Sequence, residues 1–156
     1  IRQTIWDKYR NVIGIWIRRV LCGESILIFG DGYQKRAFSD IKFCLEPMER
    51  LMKEYNGQIF NLGSDKEYTL NEVATALQRI AKEFGYDAKI EYGEARHEVK
   101  YAYCNHQKAK SLLGFKDDTN LEGTMRDMFV WAMKQPDREV KQMEYEVSKG
   151  MYSYWK

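Results

Sequence analysis

The stretch from Thr69 to Gly85 limits the possible folds of this chain more than any other. Thr69-Leu70-Asn71-Glu72 is a capping box, in which a Thr hydroxyl and a Glu carboxylate three residues on serve each other's backbone amides. Behind it Val73, Ala74, Leu77, Ile80, Ala81 and Phe84 recur at three- and four-residue spacing until Gly85 stops the pattern. This is an amphipathic helix, and its apolar stripe needs a layer to pack on.

The rest of the chain supplies that layer. From Asn11, apolar residues at Ile13, Trp16, Ile17, Val20 and Leu21 predict a helix ended by Gly23, with Arg18 and Arg19 on its outer face. Ile26-Leu27-Ile28-Phe29 then reads as a strand entering a tight turn at Gly30-Asp31-Gly32. Asp40 can cap a helix whose inner face is Ile41, Leu45, Met48, Leu51, Met52 and Tyr55. Placing Pro47 in its first turn puts its start near Cys44. Gln58 to Leu62 alternates before Gly63 and predicts a strand, as does Ala88 to Tyr92 before an extended segment to Tyr103. Asn105 to Leu113 reads as a short helix ended by Gly114. Leu121, Met125, Met128, Phe129 and Ala132 mark a longer one, and Arg138 to Lys149 a charged last one. The expected architecture is α/β, a small parallel or mixed sheet with several helices, forming one domain over 1–156. Three short strands make a thin sheet, which usually leans on something else.

Composition narrows function mainly by exclusion. The chain has 156 residues, 44% hydrophobic and 14% aromatic, enough for one packed core. Lys+Arg 25 against Asp+Glu 23 gives +2, too balanced for the phosphate field of a nucleic-acid binder. Cys22, Cys44 and Cys104 are odd in number and widely spaced, which predicts reduced thiols and a cytoplasmic setting. No run approaches the roughly 18 apolar residues of a membrane span. The scattered cysteines with His97 and His106 lack zinc-ligand spacing, so no metal is expected. The start Ile1-Arg2-Gln3-Thr4 reads as mid-loop, the mark of a truncated chain.

Two clusters could bind an anion. Gly30-Asp31-Gly32 comes after a strand, but the dinucleotide fingerprint needs a glycine three residues on, where this chain has Lys35. Beyond the turn stand Gln34, Lys35 and Arg36, and the planar fork of Arg36 suits a diphosphate. Arg96-His97-Glu98-Val99-Lys100 lies after the last strand, where ligands of open α/β sheets tend to lie. His97 and Glu98 are sequence neighbours, a poor arrangement for an acid/base pair. Tyr145 and Lys149 have the spacing of a Tyr-x-x-x-Lys pair, but one such match is expected by chance among 11 tyrosines. No catalytic constellation is evident in the chain.

Several of these segments together carry a resemblance. Ile28-Phe29-Gly30-Asp31-Gly32-Tyr33-Gln34-Lys35-Arg36-Ala37-Phe38 resembles the I-(Y/F)-G-D-G-x-Q-x-R-x-F stretch of the NAD-dependent epimerase/dehydratase family, extended short-chain dehydrogenases acting on nucleotide sugars. Arg2-Gln3 is similar to the end of the family's Y-G-P-R-Q, and Asn11 to Gly14 sits where N-x-(I/L)-P begins a helix. Gln58 to Ser64, Lys108 to Phe115, and Leu121 to Trp131 resemble three further collinear family motifs. The resemblance covers residues 1 to about 134. The chain departs from it in two places. Arg96-His97-Glu98-Val99 is one residue shorter than R-P-G-D-V, and Lys42 and Phe43 replace an acidic pair.

The resemblance implies a C-terminal substrate-binding portion, with the N-terminal Rossmann domain that binds NAD and carries Ser/Thr and Tyr-x-x-x-Lys absent. In the parent enzyme, a hydride would pass from sugar to NAD and return after the keto intermediate rearranges. Carried over, Leu27 to Phe29 would contact the nucleobase and Arg36 would grip the diphosphate. Arg96 would meet the phosphates as well, Glu98 would stand near the ribose or its partner arginine, and Asn11 would lie near the substrate. The expected partners are a nucleoside diphosphate sugar, such as a UDP-sugar, the chain's own Rossmann domain and a second copy in a homodimer. The fragment alone is expected to be inactive. The alternative is a non-catalytic α/β protein-interaction module.

Overall fold

A computed structural model describes residues 2–7 and 9–138. The helix read over Arg138 to Lys149, with its Tyr145 and Lys149, lies outside the described residues apart from Arg138. Five helices and five strands succeed one another as α1 (Val12–Leu21), β1 (Ile26–Phe29), β2 (Lys35–Ala37), α2 (Lys42–Glu54), β3 (Glu67–Thr69), α3 (Leu70–Glu83), β4 (Ile90–Gly93), β5 (Tyr101–Ala102), α4 (Gln107–Leu113) and α5 (Leu121–Ala132). The strands form two small sheets. β1 pairs with β4 in parallel, while β2 lies between antiparallel β3 and parallel β5.

The main core lies among α1, α3, α5 and β1. Ile17, Ile26, Ile28, Val73, Leu77, Ile80 and Phe129 are shut off from solvent. The capping box predicted for α3 is complete: Thr69 Oγ1 accepts from the Glu72 amide, and Glu72 Oε2 accepts from the Thr69 amide at 2.7 Å. Phe84 stacks on Phe129 with centroids 5.6 Å apart, closing the C-terminal end of that helix against α5.

A smaller core of Cys44, Ala109, Leu113 and Phe115 joins α2 to α4, with Leu51, Tyr55, Phe60 and Leu62 packed around it. Two expectations change here. Helix α2 begins at Lys42, two residues before Cys44, so Pro47 falls in its second turn. The first turn is tightened instead: the Phe43 amide bonds the Asp40 carbonyl and the Cys44 amide the Ile41 carbonyl, an i to i−3 pattern. Asp40 still anchors this end, accepting from the Lys42 amide at 3.0 Å and from the Thr124 hydroxyl at 3.0 Å. Burial pushes the Asp40 carboxyl up, and the hydrogen bonds from Lys42 and Thr124 outweigh it, holding the group below the usual range. Of the face read as inner, Leu51 and Tyr55 do pack on this core, but the rest does not. Cys44 and Pro47 are buried, whereas Ile41, Leu45, Met48 and Met52 are exposed, Met52 by 79%.

The second change concerns Gln58 to Leu62, which forms no strand. A strand exists by pairing, and the hydrogen bonds here run through side chains to α4 and the residues before it, not through a ladder. Lys108 Nζ donates to the Ile59 carbonyl at 3.1 Å and Asn61 Nδ2 to the Asn105 carbonyl at 3.2 Å, leaving Ile59 84% exposed. In its place, β2, β3 and β5 appear in stretches too short for alternation to show.

Candidate functional site

The topology itself brings the two charged clusters together. Since β1 runs parallel to β4 and β2 parallel to β5, the turn from β1 to β2 and the loop from β4 to β5 lie side by side. The Gly30 amide bonds the Gly93 carbonyl at 3.1 Å and the Lys35 amide the Lys100 carbonyl at 2.7 Å, one link at each end of the pair. Arg36 and Arg96 thereby reach the same cavity.

The turn is held from below by α3. Gly30 and Gly32 have positive φ, and a Cβ on Gly32 would lie 2.1 Å from Asn71 Oδ1, so a side chain at this position would be strained and would displace Asn71. The Leu70 amide bonds the Gln34 carbonyl and the Asn71 amide the Gly32 carbonyl, while the Glu72 amide goes to Thr69. The first amides of α3 are therefore occupied by protein groups. With the third glycine missing and a strand after the turn, these residues do not make a pyrophosphate site for NAD.

A cavity of about 200 Å³ is lined by Leu27, Phe29, Arg36, Arg96, Glu98 and Asn11, together with Tyr9, Trp16 and Arg19 among others. All six side chains singled out in the sequence meet there. A larger, more open hollow of about 830 Å³ adjoins it, sharing Phe29, Arg96 and Glu98. The Arg96 guanidinium lies over the Phe29 ring, 3.2 Å from its centroid. Arg36 Nη1 donates to the Val99 carbonyl at 2.7 Å and the Lys35 carbonyl at 2.8 Å, and Nη2 meets Glu98 Oε2 at 3.2 Å. Glu98 thus serves Arg36. Asn11 adopts the left-handed conformation at the start of α1, and its side chain makes no cap bond.

Of the three donors after the turn, Arg36 alone turns into the cavity. Gln34 Nε2 is spent on the Phe29 carbonyl at 2.9 Å, and Lys35 faces Glu67 at 3.8 Å. Arg19, expected on an outer face, lines the cavity instead, with its Nε on the Ser25 carbonyl and its Nη1 on Glu24 at 2.8 Å. Arg18 pairs with Asp137. Trp16 was legible as core and is also part of the site, because its Nε1 donates to the Leu27 carbonyl at 2.8 Å. Helical periodicity marks Trp16 as buried but does not show what its indole N–H will hold.

Among the described residues, no group of three or more His, Cys, Asp or Glu could hold a metal ion, and no helix is long and apolar enough to cross a membrane.

Comparison with known proteins gives the class: over about 80% of its length the chain is similar to UDP-sugar epimerases and decarboxylases, and it resembles the C-terminal portion of the NAD-dependent epimerase/dehydratase family. No family model matches it. It is 31% identical over 129 residues to a putative UDP-glucose 4-epimerase of Methanocaldococcus jannaschii, covering 82% of this chain and 40% of that protein. It is 27% identical over 128 residues to a UDP-N-acetyl-alpha-D-glucosaminuronate decarboxylase of Bacillus cytotoxicus, covering 79% and 40%. A crystal structure of UDP-glucose 4-epimerase with UDP-glucose from Thermotoga maritima matches with a TM-score of 0.72 and 27% identity over 83% of this chain and 42% of that one. UDP-glucuronic acid 4-epimerase of Bacillus cereus, solved with UDP-glucuronic acid and NAD, shares the fold at a TM-score of 0.69 and 20% identity, covering 79% and 40%. The chain spans about 40% of the length of the curated relatives named here.

Proposed function

We propose that this chain is the nucleotide-sugar-binding part of an NAD-dependent epimerase or dehydratase, and that its ligand is a UDP-sugar. The observation that carries this is the convergence of Arg36, in β2, and Arg96, in the loop from β4 to β5, beside Phe29 in one cavity. Three guanidiniums, those of Arg19, Arg36 and Arg96, line the cavity with the single carboxylate of Glu98, which favours an anion, and Arg36 has more donors than its three protein acceptors take up. The diphosphate lies between the arginines, the base lies against Leu27 and Phe29, and Asn11 faces the sugar. The curated relatives named as UDP-sugar enzymes support the choice of nucleotide.

In this reading NAD belongs to a separate Rossmann domain of the same protein, since the turn at Gly30 does not fit it, and the chain alone binds without turnover. The exposed row Ile41, Leu45, Met48 and Met52 supports such a neighbour, being an apolar helix face of the kind that packs on another body. The same row is what favours the second reading, a protein-interaction module.

Calorimetric titration separates the two. UDP-glucose is expected to bind saturably, and Arg36→Ala to weaken it on the order of tenfold or more, the loss of a charge-assisted phosphate contact. Equal affinity in both proteins contradicts the substrate reading, and no binding by either leaves the interaction module favoured.

A further inference from the structure

A second cluster of reactive side chains lies apart from that cavity. Cys104 comes just after β5, and His106 opens α4. His106 is 7% exposed and its ring is held edge-on to Phe115, with centroids 5.7 Å apart. Its Nε2 lies 2.6 Å from Asp65 Oδ1 and its Nδ1 lies 3.7 Å from Cys104 Sγ. Asp65 is itself fixed by Lys110 Nζ, at 2.7 and 2.8 Å from its two oxygens. The hydrogen bonds from Lys110 and His106 hold its carboxyl below the usual range. A nucleophile, a base within reach and a third group orienting the base is the arrangement that activates a thiol. None of the three side chains that define it lines the cavities around Phe29.

We propose that Cys104 is a nucleophilic thiol, activated by His106 and Asp65, and that it is a modification site for small uncharged electrophiles such as hydrogen peroxide. Asp65 accepts the Nε2 hydrogen of His106, which leaves Nδ1 bare and facing the thiol. The Cys104 proton moves to Nδ1, where the Cys104 carbonyl, 3.2 Å away, also accepts it. The thiolate then attacks one peroxide oxygen. An S–O bond forms and the O–O bond breaks. The other oxygen leaves as hydroxide and takes the proton from Nδ1 as water. Cys104 is oxidised to the sulfenic acid and peroxide is reduced to water.

Cys104 is half-buried, and Gly63 packs against its sulfur: a Cβ at that position would lie 2.6 Å from Sγ, so any larger residue would crowd the thiol. The other two cysteines give internal references. Cys44 is buried, and that burial, reinforced by the charges of Asp117 and Asp40, pushes its thiol up. Cys22 is exposed at the end of α1 and reports what plain accessibility gives.

The test treats the purified, reduced chain with hydrogen peroxide at neutral pH in the presence of dimedone, then quantifies the adduct on each cysteine by peptide mass spectrometry. Cys104, though less exposed than Cys22, is expected to label on the order of tenfold faster. His106→Gln should bring Cys104 to or below the rate of Cys22, and Asp65→Asn, a change at an exposed side chain, should slow it several-fold. Circular dichroism verifies that each variant is folded. Faster labelling of Cys22 in the unaltered chain overturns the proposal without reference to any variant. So does an undiminished Cys104 rate in folded His106→Gln.

Discussion

Helices α2 and α3 carry similar patterns and meet opposite fates. Each is amphipathic, with apolar residues recurring at helical spacing over about the same length. In α3 the stripe of Leu70, Val73, Ala74, Leu77, Ile80 and Ala81 is buried against α5 and β1. In α2 the row Ile41, Leu45, Met48 and Met52 faces solvent, and a narrower side through Cys44 and Pro47 makes the contact with α4. Periodicity reports that a helix has an apolar face. What covers that face depends on the partners in reach. Helix α3 has its partners among the described residues, and the row on α2 is left uncovered by them.

The largest consequence is energetic. Leu77→Ala removes a side chain with no exposed surface and is expected to cost about 2–5 kcal/mol, read as a fall in denaturant midpoint. Next comes the cap. Thr69→Ala removes the hydroxyl that accepts from the Glu72 amide, while the backbone amide still bonds the Glu72 carboxylate, and should cost about 1 kcal/mol in the same assay.

A smaller effect is pH-dependent. The backbone amide and then the hydroxyl of Thr69 bond the Glu72 carboxylate and hold its pKa below the ordinary range. Its contribution is thus present above the unfolded pKa of about 4.3 and is lost as pH falls through the folded value. Because Glu72 is exposed, that contribution stays below about 0.5 kcal/mol, and Glu72→Gln should remove this part of the acid sensitivity between about pH 5 and the folded value. The smallest effect is predicted for α2: Met52→Lys should change stability by less than about 0.5 kcal/mol. A loss there comparable to that of Leu77→Ala would break the contrast between the helices.

Much of the fold was legible where one segment decides its own structure. The box at Thr69 and Glu72, the stop at Gly114 and the strand Ile26 to Phe29 are local, and each lies where the sequence placed it. Features that depend on distant partners were not legible. Gln58 to Leu62 has strand alternation and no ladder, and β2, β3 and β5 are too short to show a pattern. The cavity divides the same way. Leu27, Phe29, Arg36, Arg96, Glu98 and Asn11 were found from the residues and the family resemblance. Their meeting required the paired crossings from β1 to β2 and from β4 to β5. Trp16 and Arg19 were missed as site residues because a helix pattern assigns them to core and surface, and the cavity lies at the boundary between the two.

The central claim is that the ligand surface is the arginine cavity and the docking surface is α2. Amide chemical shifts recorded while uridine diphosphate is added to the labelled chain test it most directly. The predicted result is movement at Leu27 to Arg36 and Arg96 to Lys100, with α2 and residues 58–62 unmoved. Shifts confined to α2 and residues 58–62, or none near Arg36 at saturation, would contradict it.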